Sequence, residues 1–110
     1  MDRSKIKTAD EAVPYSIDAE RSVLGSMIIS KNAVEVAMEL LKTEDFYIAA
    51  HQTIFASMHD LYTRSSAVDL VTVVNDLEKH GKLEAIGGVE YVAMLGDYTP
   101  SSGNIAYYAR

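Results

Sequence analysis

The sequence predicts an all-α protein, a compact orthogonal array of about six helices, and three observations support this prediction. Apolar residues recur at intervals of three and four along most of the chain, which is the period of an amphipathic helix. The connections between these periodic stretches are short and rich in Ser, Asn, Gly and Pro, as turns are. The one stretch that also fits a strand, residues 68–74, has no second strand nearby, and an unpaired strand is not stable.

The first predicted helix begins at Ser16 or Asp18, because either side chain can accept hydrogen bonds from the free amides of a first turn. Its apolar groups then recur at helical spacing. Gly25 lies within it, and a glycine inside a helix indicates that another helix packs closely against it. The second predicted helix covers residues 33–41, with Asn32 as its cap.

Two aromatic residues, Phe46 and Tyr47, follow the second helix, and we expect both rings to fill the core from a loop. The third predicted helix, residues 48–62, has the most regular spacing of apolar residues, so that one of its faces is buried. For residues 68–74 we predict a fourth helix, because Asp69 can cap it and His80-Gly81 is a typical C-terminal stop.

The last third of the chain contains shorter elements. A single turn over residues 82–86 precedes a break at Gly87-Gly88, and a short helix over residues 89–95 is closed by Gly96. A final periodic run, residues 105–110, has no cap or breaker at its end. Two turns do not form a helix on their own, so we expect this run to be cut from a longer helix.

The acidic excess lies outside the first residues of the chain, which has a formal charge of -6 and a pI of about 4.9. Residues 1–13 hold equal numbers of acidic and basic side chains, and we predict a flexible N-terminal tail there, followed by a helical domain over residues 14–110. The basic residues of that domain are scattered among more numerous carboxylates. We therefore expect no tight binding of nucleic acid by this chain alone.

Composition excludes several other classes of protein. There is no Cys, which excludes disulfides, thiolate zinc sites and cysteine nucleophiles. The longest nearly apolar run, residues 23–29, is far shorter than the ~20 residues of a membrane span. The N-terminus lacks the apolar stretch of a secretory signal, so the sequence predicts a cytoplasmic protein with no membrane contact.

The sequence predicts no catalytic residue, no cofactor-binding residue and no metal ligand. His51 and His59 are two helical turns apart, which disfavours a small metal hydrolase built on a shared ion. A phosphate-binding loop at Gly81-Lys82 would need Gly and Ser or Thr where the chain has Asp76 and Leu83. Recognition of other proteins is the function that remains.

Tyrosines are the candidate recognition residues. The chain has seven Tyr, two Phe and no Trp, and Tyr is favoured at interfaces because it combines contact area with a hydroxyl. We predict that Tyr91, Tyr98, Tyr107 and Tyr108, which crowd the C-terminal portion, form a partner interface. The alternative, that some of them fill the core or cover helix ends, stays open.

Six blocks of residues keep the order and spacing of one known family across residues 14–110. They are Pro14-x-Ser16-x-x-Ala19-Glu20-x-x-Val23-Leu24-Gly25, Asp45-Phe46-Tyr47, His51-x-x-Ile54-Phe55, Val68-Asp69-Leu70-Val71-Thr72-Val73, Gly87-Gly88-x-x-Tyr91 and Thr99-Pro100-Ser101-x-x-Asn104-Ile105-x-x-Tyr108-Ala109. Together they resemble the N-terminal domain of the bacterial replicative DNA helicases of the DnaB family. The chain departs from the family before Val68, where members often have Gly and Pro and this chain has Ser65 and Ala67.

The resemblance implies a non-catalytic helical module followed, in the parent protein, by a helical hairpin, a linker and a RecA-like ATPase domain. That ATPase domain holds ATP and Mg²⁺ and drives 5′-to-3′ unwinding by a hexameric ring. The N-terminal domains pair into dimers, form a collar on the ring, and dock primase and the helicase loader, while DNA is contacted only through the ring. On this interpretation Arg110 lies in the first hairpin helix, so the fold is truncated there.

Two alternatives fit the residues less well. The helicase-interaction domain of bacterial primase resembles this fold, but the Asp45-Phe46-Tyr47 and Gly87-Gly88 blocks favour the helicase. A free-standing acidic helical adaptor is the other alternative. The abrupt end of the final periodic run at Arg110 argues against it.

Overall fold

Helices form all regular structure in the part of the chain that the structure describes, residues 16–98 of a computed structural model. No strand occurs there, and the prediction of an all-α fold is confirmed. The predicted tail, residues 1–13, and the final periodic run, residues 105–110, lie outside these residues. Within them the α-helices are α1 (Ile17–Ile29), α2 (Lys31–Leu40), α3 (Ala49–Thr63), α4 (Leu70–Lys79) and α5 (Gly88–Tyr98), with short 3-10 helices at Thr43–Asp45 and Glu84–Ile86.

Serine caps set where the first two helices begin. Ser16 Oγ accepts a hydrogen bond from the amide of Ala19 at 3.0 Å, as predicted for α1. The prediction that Asn32 caps α2 is wrong. Ser30 is the cap, because its Oγ accepts a hydrogen bond from the Ala33 amide at 3.2 Å and α2 begins at the next residue, Lys31. Ser30 has an extended backbone and is both the C-cap of α1 and the N-cap of α2, so this single residue connects the two helices.

Residues 68–74, which fit both a strand and a helix by sequence, lead into helix α4. The first turn of that helix shows why the helix forms. Asp69 Oδ1 accepts a hydrogen bond from the Thr72 amide, and Thr72 Oγ1 accepts one from the Asp69 amide, both at 2.9 Å. This reciprocal capping box satisfies two amides at the start of the helix. The helix ends at Lys79, and His80-Gly81 forms the predicted stop, with Gly81 in the left-handed region at φ 72°.

The central helix of the fold is α1, which packs against α2, α3 and α5. Its residues from Ser22 to Ile28 are all buried, including Gly25, for which the sequence predicts close packing. Each large apolar side chain buried around it stabilises the fold by about 1.5–3 kcal/mol. The largest of these on the neighbouring elements are Phe46, Ile54, Phe55, Met58, Leu77 and Leu95.

The last described helix is longer than predicted. The prediction that Gly96 closes a helix over residues 89–95 is wrong, because α5 continues through Gly96 to Tyr98. A Cβ at position 96 would lie 3.4 Å from Cγ2 of Ile28 on α1, an ordinary contact distance, so α5 packs directly against α1 at this residue. Ser65, in the loop where the resembled family often has Gly, adopts a left-handed backbone with φ 61°.

The two aromatic residues between α2 and α3 point in opposite directions. Phe46 is 1% exposed and packs against Phe55 of α3 with ring centroids 4.9 Å apart, as predicted. Tyr47 is 86% exposed, so the prediction that its ring fills the core is wrong. Phe46 has an extended backbone, with φ -88° and ψ 136°, and successive side chains of extended backbone point to opposite sides.

Candidate interaction site

A buried carboxylate on α1 holds the start of α3. Glu20 is fully buried, and its Oε2 accepts a hydrogen bond from the Tyr47 amide at 2.6 Å while Oε1 accepts one from the Ile48 amide at 3.3 Å. Ile48 is the N-cap residue of α3 and has no side-chain cap of its own. The carboxylate of α1 therefore supplies the cap, and its negative charge lies at the positive end of the α3 dipole.

A chain of hydrogen bonds runs from this carboxylate to the surface. Buried His51 on α3 lies with Nδ1 2.7 Å from Glu20 Oε1 and Nε2 2.5 Å from the hydroxyl of Tyr91 on α5. A carboxylate only accepts, so Nδ1 of His51 donates and, in the neutral ring, Nε2 accepts from Tyr91. The Tyr91 oxygen in turn accepts from Nε of Arg21 at 3.4 Å. These contacts connect α1, α3 and α5.

The second tyrosine of α5 is attached to the same part of α1. Tyr98 donates a hydrogen bond from its hydroxyl to Asp18 Oδ1 at 2.5 Å, and the Arg21 guanidinium carbon lies 5.8 Å from the centroid of the Tyr98 ring. Arg21 therefore lies between the two tyrosines, within cation–π distance of one and hydrogen-bonded to the other. The hydrogen bond to Tyr91 raises the pKa of Arg21, which stays charged.

We call the surface formed by Asp18, Arg21, Tyr91 and Tyr98 the tyrosine face. Two of the four tyrosines predicted to form a partner interface, Tyr91 and Tyr98, lie together on this face. Both are half-buried, and both hydroxyls form hydrogen bonds within the domain. The other two predicted interface residues, Tyr107 and Tyr108, lie outside the described residues. Sequence reasoning missed Asp18 and Arg21 as parts of the face, and their three-residue spacing on one helix is the only signal that could have paired them.

A second polar cluster joins α3 to α4. Ser57 donates its hydroxyl proton to Asp76 Oδ2 at 2.7 Å, and Nη2 of Arg64 lies 3.2 Å from Asp76 Oδ1. His80 Nδ1 is 2.8 Å from the Asp76 carbonyl oxygen. These contacts connect α3, Arg64 and the end of α4 through the Asp76 side chain and backbone.

Two kinds of feature are absent from residues 16–98. No group of three or more His, Cys, Asp or Glu side chains is placed to hold a metal ion. Likewise, no helix in this part of the chain has the length and apolar character that crossing a membrane requires.

The family model of the DnaB-like helicase N terminal domain matches residues 12–110, which is most of the chain. This chain is a DnaB-family N-terminal domain. Among solved structures, the crystal structure of the N-terminal domain of DnaB helicase from Mycobacterium tuberculosis superposes with a TM-score of 0.83 at 42% identity, covering 87% of this chain and 69% of that one.

Curated relatives of this DnaB domain are much longer proteins. The replicative DNA helicase DnaB of Geobacillus stearothermophilus is 47% identical over 97 residues, which are 88% of this chain and 21% of that protein. The corresponding helicase of Mycobacterium leprae is 42% identical over 96 residues, 87% of this chain and 16% of that protein. The chain thus spans about a fifth of the length of the curated relatives it matches.

We predict that Tyr98 of this DnaB domain deprotonates only above the usual range. The hydrogen bond to Asp18, together with partial burial, raises the pKa of the Tyr98 hydroxyl above its ordinary value of 10.0. The folded state favours the neutral form of Tyr98. The contribution of this hydrogen bond to the free energy of unfolding is therefore fully present below the pKa that Tyr98 has in the unfolded chain, and it is lost as pH rises through the pKa in the folded domain.

An NMR titration of ¹³C-labelled tyrosine measures this shift directly. Asp18→Ala is expected to return the Tyr98 midpoint toward the ordinary value, because the largest cause of the shift is removed. Glu90→Ala, which removes an exposed carboxylate from the same helix, serves as the matched control. A Tyr98 midpoint that Asp18→Ala leaves unchanged contradicts the assignment.

Proposed function

We propose that this chain is the non-catalytic collar domain of a hexameric, ATP-driven 5′-to-3′ replicative helicase that acts in the cytoplasm. Its tasks are ring assembly and the docking of primase and the helicase loader. Family membership supports the proposal, as do the relatives, which are named replicative DNA helicases and extend far beyond the region matched here. ATP, Mg²⁺ and DNA are then bound by the rest of the parent protein.

The observation that carries the docking role is the tyrosine face. Tyr and Arg are the residue types most enriched among those that dominate binding energy at interfaces, and here an Arg lies between two Tyr. The hydroxyls of Tyr91 and Tyr98 are held by His51 and Asp18, so the rings have little conformational freedom left to lose on binding. We propose primase as the protein that this face docks.

Tyr98 gives the sharpest test of primase docking, because its hydroxyl contacts Asp18 at the surface rather than the buried Glu20–His51 pair. In the full-length helicase that carries this domain, Tyr98→Ala and Arg21→Ala are each expected to weaken primase binding about tenfold or more. ATP hydrolysis and hexamer mass are expected to stay unchanged. Calorimetry, a coupled ATPase assay and light scattering measure the three quantities.

The matched control is Tyr47→Ala, which removes an exposed tyrosine from a different element. Tyr91→Ala is also expected to weaken primase binding, but it breaks the contact with His51, so its folding must be checked by circular dichroism. Primase affinity that stays the same in folded Tyr98→Ala and Arg21→Ala helicases refutes docking at this face.

A further inference from the structure

An apolar groove lies at the far end of α1 from the tyrosine face. A depression of about 980 Å³ separates the end of α1 and the start of α2 from the loop between α3 and α4. A smaller one of about 320 Å³ lies between the end of α1, the start of α4 and α5. Both include Ile28, Ile29 and Asp69 in their walls, so the two depressions lie side by side. We call the two neighbouring depressions together the Ile29 groove, with apolar walls from Ile29, Val34, Tyr62, Val68, Leu70 and Val71.

The groove leaves large apolar side chains in contact with water. Val71 is 66% exposed, Ile29 is 56% exposed and Tyr62 is 41% exposed. Single exposed apolar residues are ordinary, but several that share one concave surface mark an interaction site. These residues come from three helices and lie beside one another only in the folded chain.

The walls of the groove are held in place before anything binds. Ser30 caps α2 directly after Ile29, and the capping box of Asp69 and Thr72 fixes the start of α4. Gly96 of α5 packs against Ile28 of α1, and both residues line the smaller depression. A binding surface that is already ordered loses little conformational entropy when it is occupied.

The charges around the groove indicate the chemistry of its occupant. Glu35, Asp69 and Asp97 contribute carboxylates to its walls, against one basic side chain, Lys31. A second copy of this acidic chain, with a formal charge of -6, would bring like charges together. Nucleic acid and anionic lipid surfaces are disfavoured for the same reason. A basic partner is favoured, because its Lys and Arg side chains pair with these carboxylates.

We propose that the Ile29 groove binds an amphipathic helix of a partner protein, with apolar residues at i, i+3, i+4 and i+7 and with Lys or Arg at its flanks. Such a helix places one apolar stripe into an apolar groove and keeps its charged flanks at the rim. The proposal does not depend on primase docking at the tyrosine face, which is built on the other end of α1.

A fluorescein-labelled helical peptide with Leu at i, i+3, i+4 and i+7 and Lys at both flanks is the probe, and the full chain is the receptor. Binding is measured by fluorescence anisotropy. Val71→Ser is expected to weaken binding about tenfold, whereas Val89→Ser, an equally simple change at an exposed valine of α5, is expected to leave it unchanged. The same peptide with Glu flanks is expected to bind about tenfold more weakly than the Lys peptide.

Several results would overturn the proposal. Equal affinity of the Lys peptide for Val71→Ser and Val89→Ser excludes the groove as its site, and equal affinity of the Lys and Glu peptides excludes a basic occupant. Self-association that Val71→Ser abolishes assigns the groove to a second copy, and Val71-dependent binding to phosphatidylglycerol vesicles assigns it to a membrane. Tyr98→Ala is expected to bind the peptide normally, which separates failure here from failure of primase docking.

Discussion

Replacing Glu20 with alanine is expected to lower the free energy of unfolding by about 3–5 kcal/mol, because this buried carboxylate is the acceptor of three hydrogen bonds. The carboxylate accepts hydrogen bonds from the partly buried amides of Tyr47 and Ile48 and from buried His51, all at the start of α3. An alanine leaves these three donors without their acceptor, and each unsatisfied buried polar group costs about 1–3 kcal/mol.

Urea unfolding followed by circular dichroism measures the effect of Glu20→Ala. Glu39→Ala on α2 removes an exposed carboxylate and is expected to change stability by less than about 0.5 kcal/mol. Glu20→Gln keeps one acceptor oxygen, so we expect an intermediate loss; it also serves as the readout if the alanine variant does not fold. A loss below about 1 kcal/mol for Glu20→Gln and Glu20→Ala alike contradicts the role of this carboxylate as the cap of α3.

The second large effect is expected at the adjacent aromatic pair. Phe46→Ala is expected to lower the free energy of unfolding by about 3–5 kcal/mol, because it removes a buried ring and leaves a cavity against Phe55. Tyr47→Ala is expected to change stability by less than about 0.5 kcal/mol, because its side chain is 86% exposed and its contact with Glu20 is made by the backbone amide.

Thermal and urea unfolding of Phe46→Ala and Tyr47→Ala, purified in the same way, measure this difference in stability. Phe46→Leu, which keeps most of the apolar volume, is expected to lose less stability than Phe46→Ala. Equal losses at positions 46 and 47 contradict the burial that separates them.

Local patterns predicted the helices well where the signal lies within one helix. The cap at Asp69 and the stop at His80-Gly81 identified α4 against a competing strand pattern, because a capping box and a left-handed glycine involve only neighbouring residues. The spacing of apolar residues identified α3 for the same reason. At the start of α2, Ser30 and Asn32 are both good caps, and the choice between them depends on how α1 ends.

Contacts between residues that are distant in the sequence set the features that local patterns did not predict. Gly96 has the sequence character of a helix stop, yet it lies inside α5, where it packs against Ile28 of α1. Glu20 has the character of a first-turn acidic residue, yet it caps α3 and holds His51, which is 31 residues away along the chain. No local pattern contains either partner.

The sequence by itself determined the all-α class, the position of most helices and the family, because periodicity, caps and the spacing of family blocks are properties of neighbouring residues. Only the tertiary structure decided which polar and aromatic side chains face inward and which form surfaces. It placed Tyr91 and Tyr98 around Arg21, and it joined Ile29 to Val71 in one groove. Those surfaces are assembled from separate helices, so they exist only once the helices have packed.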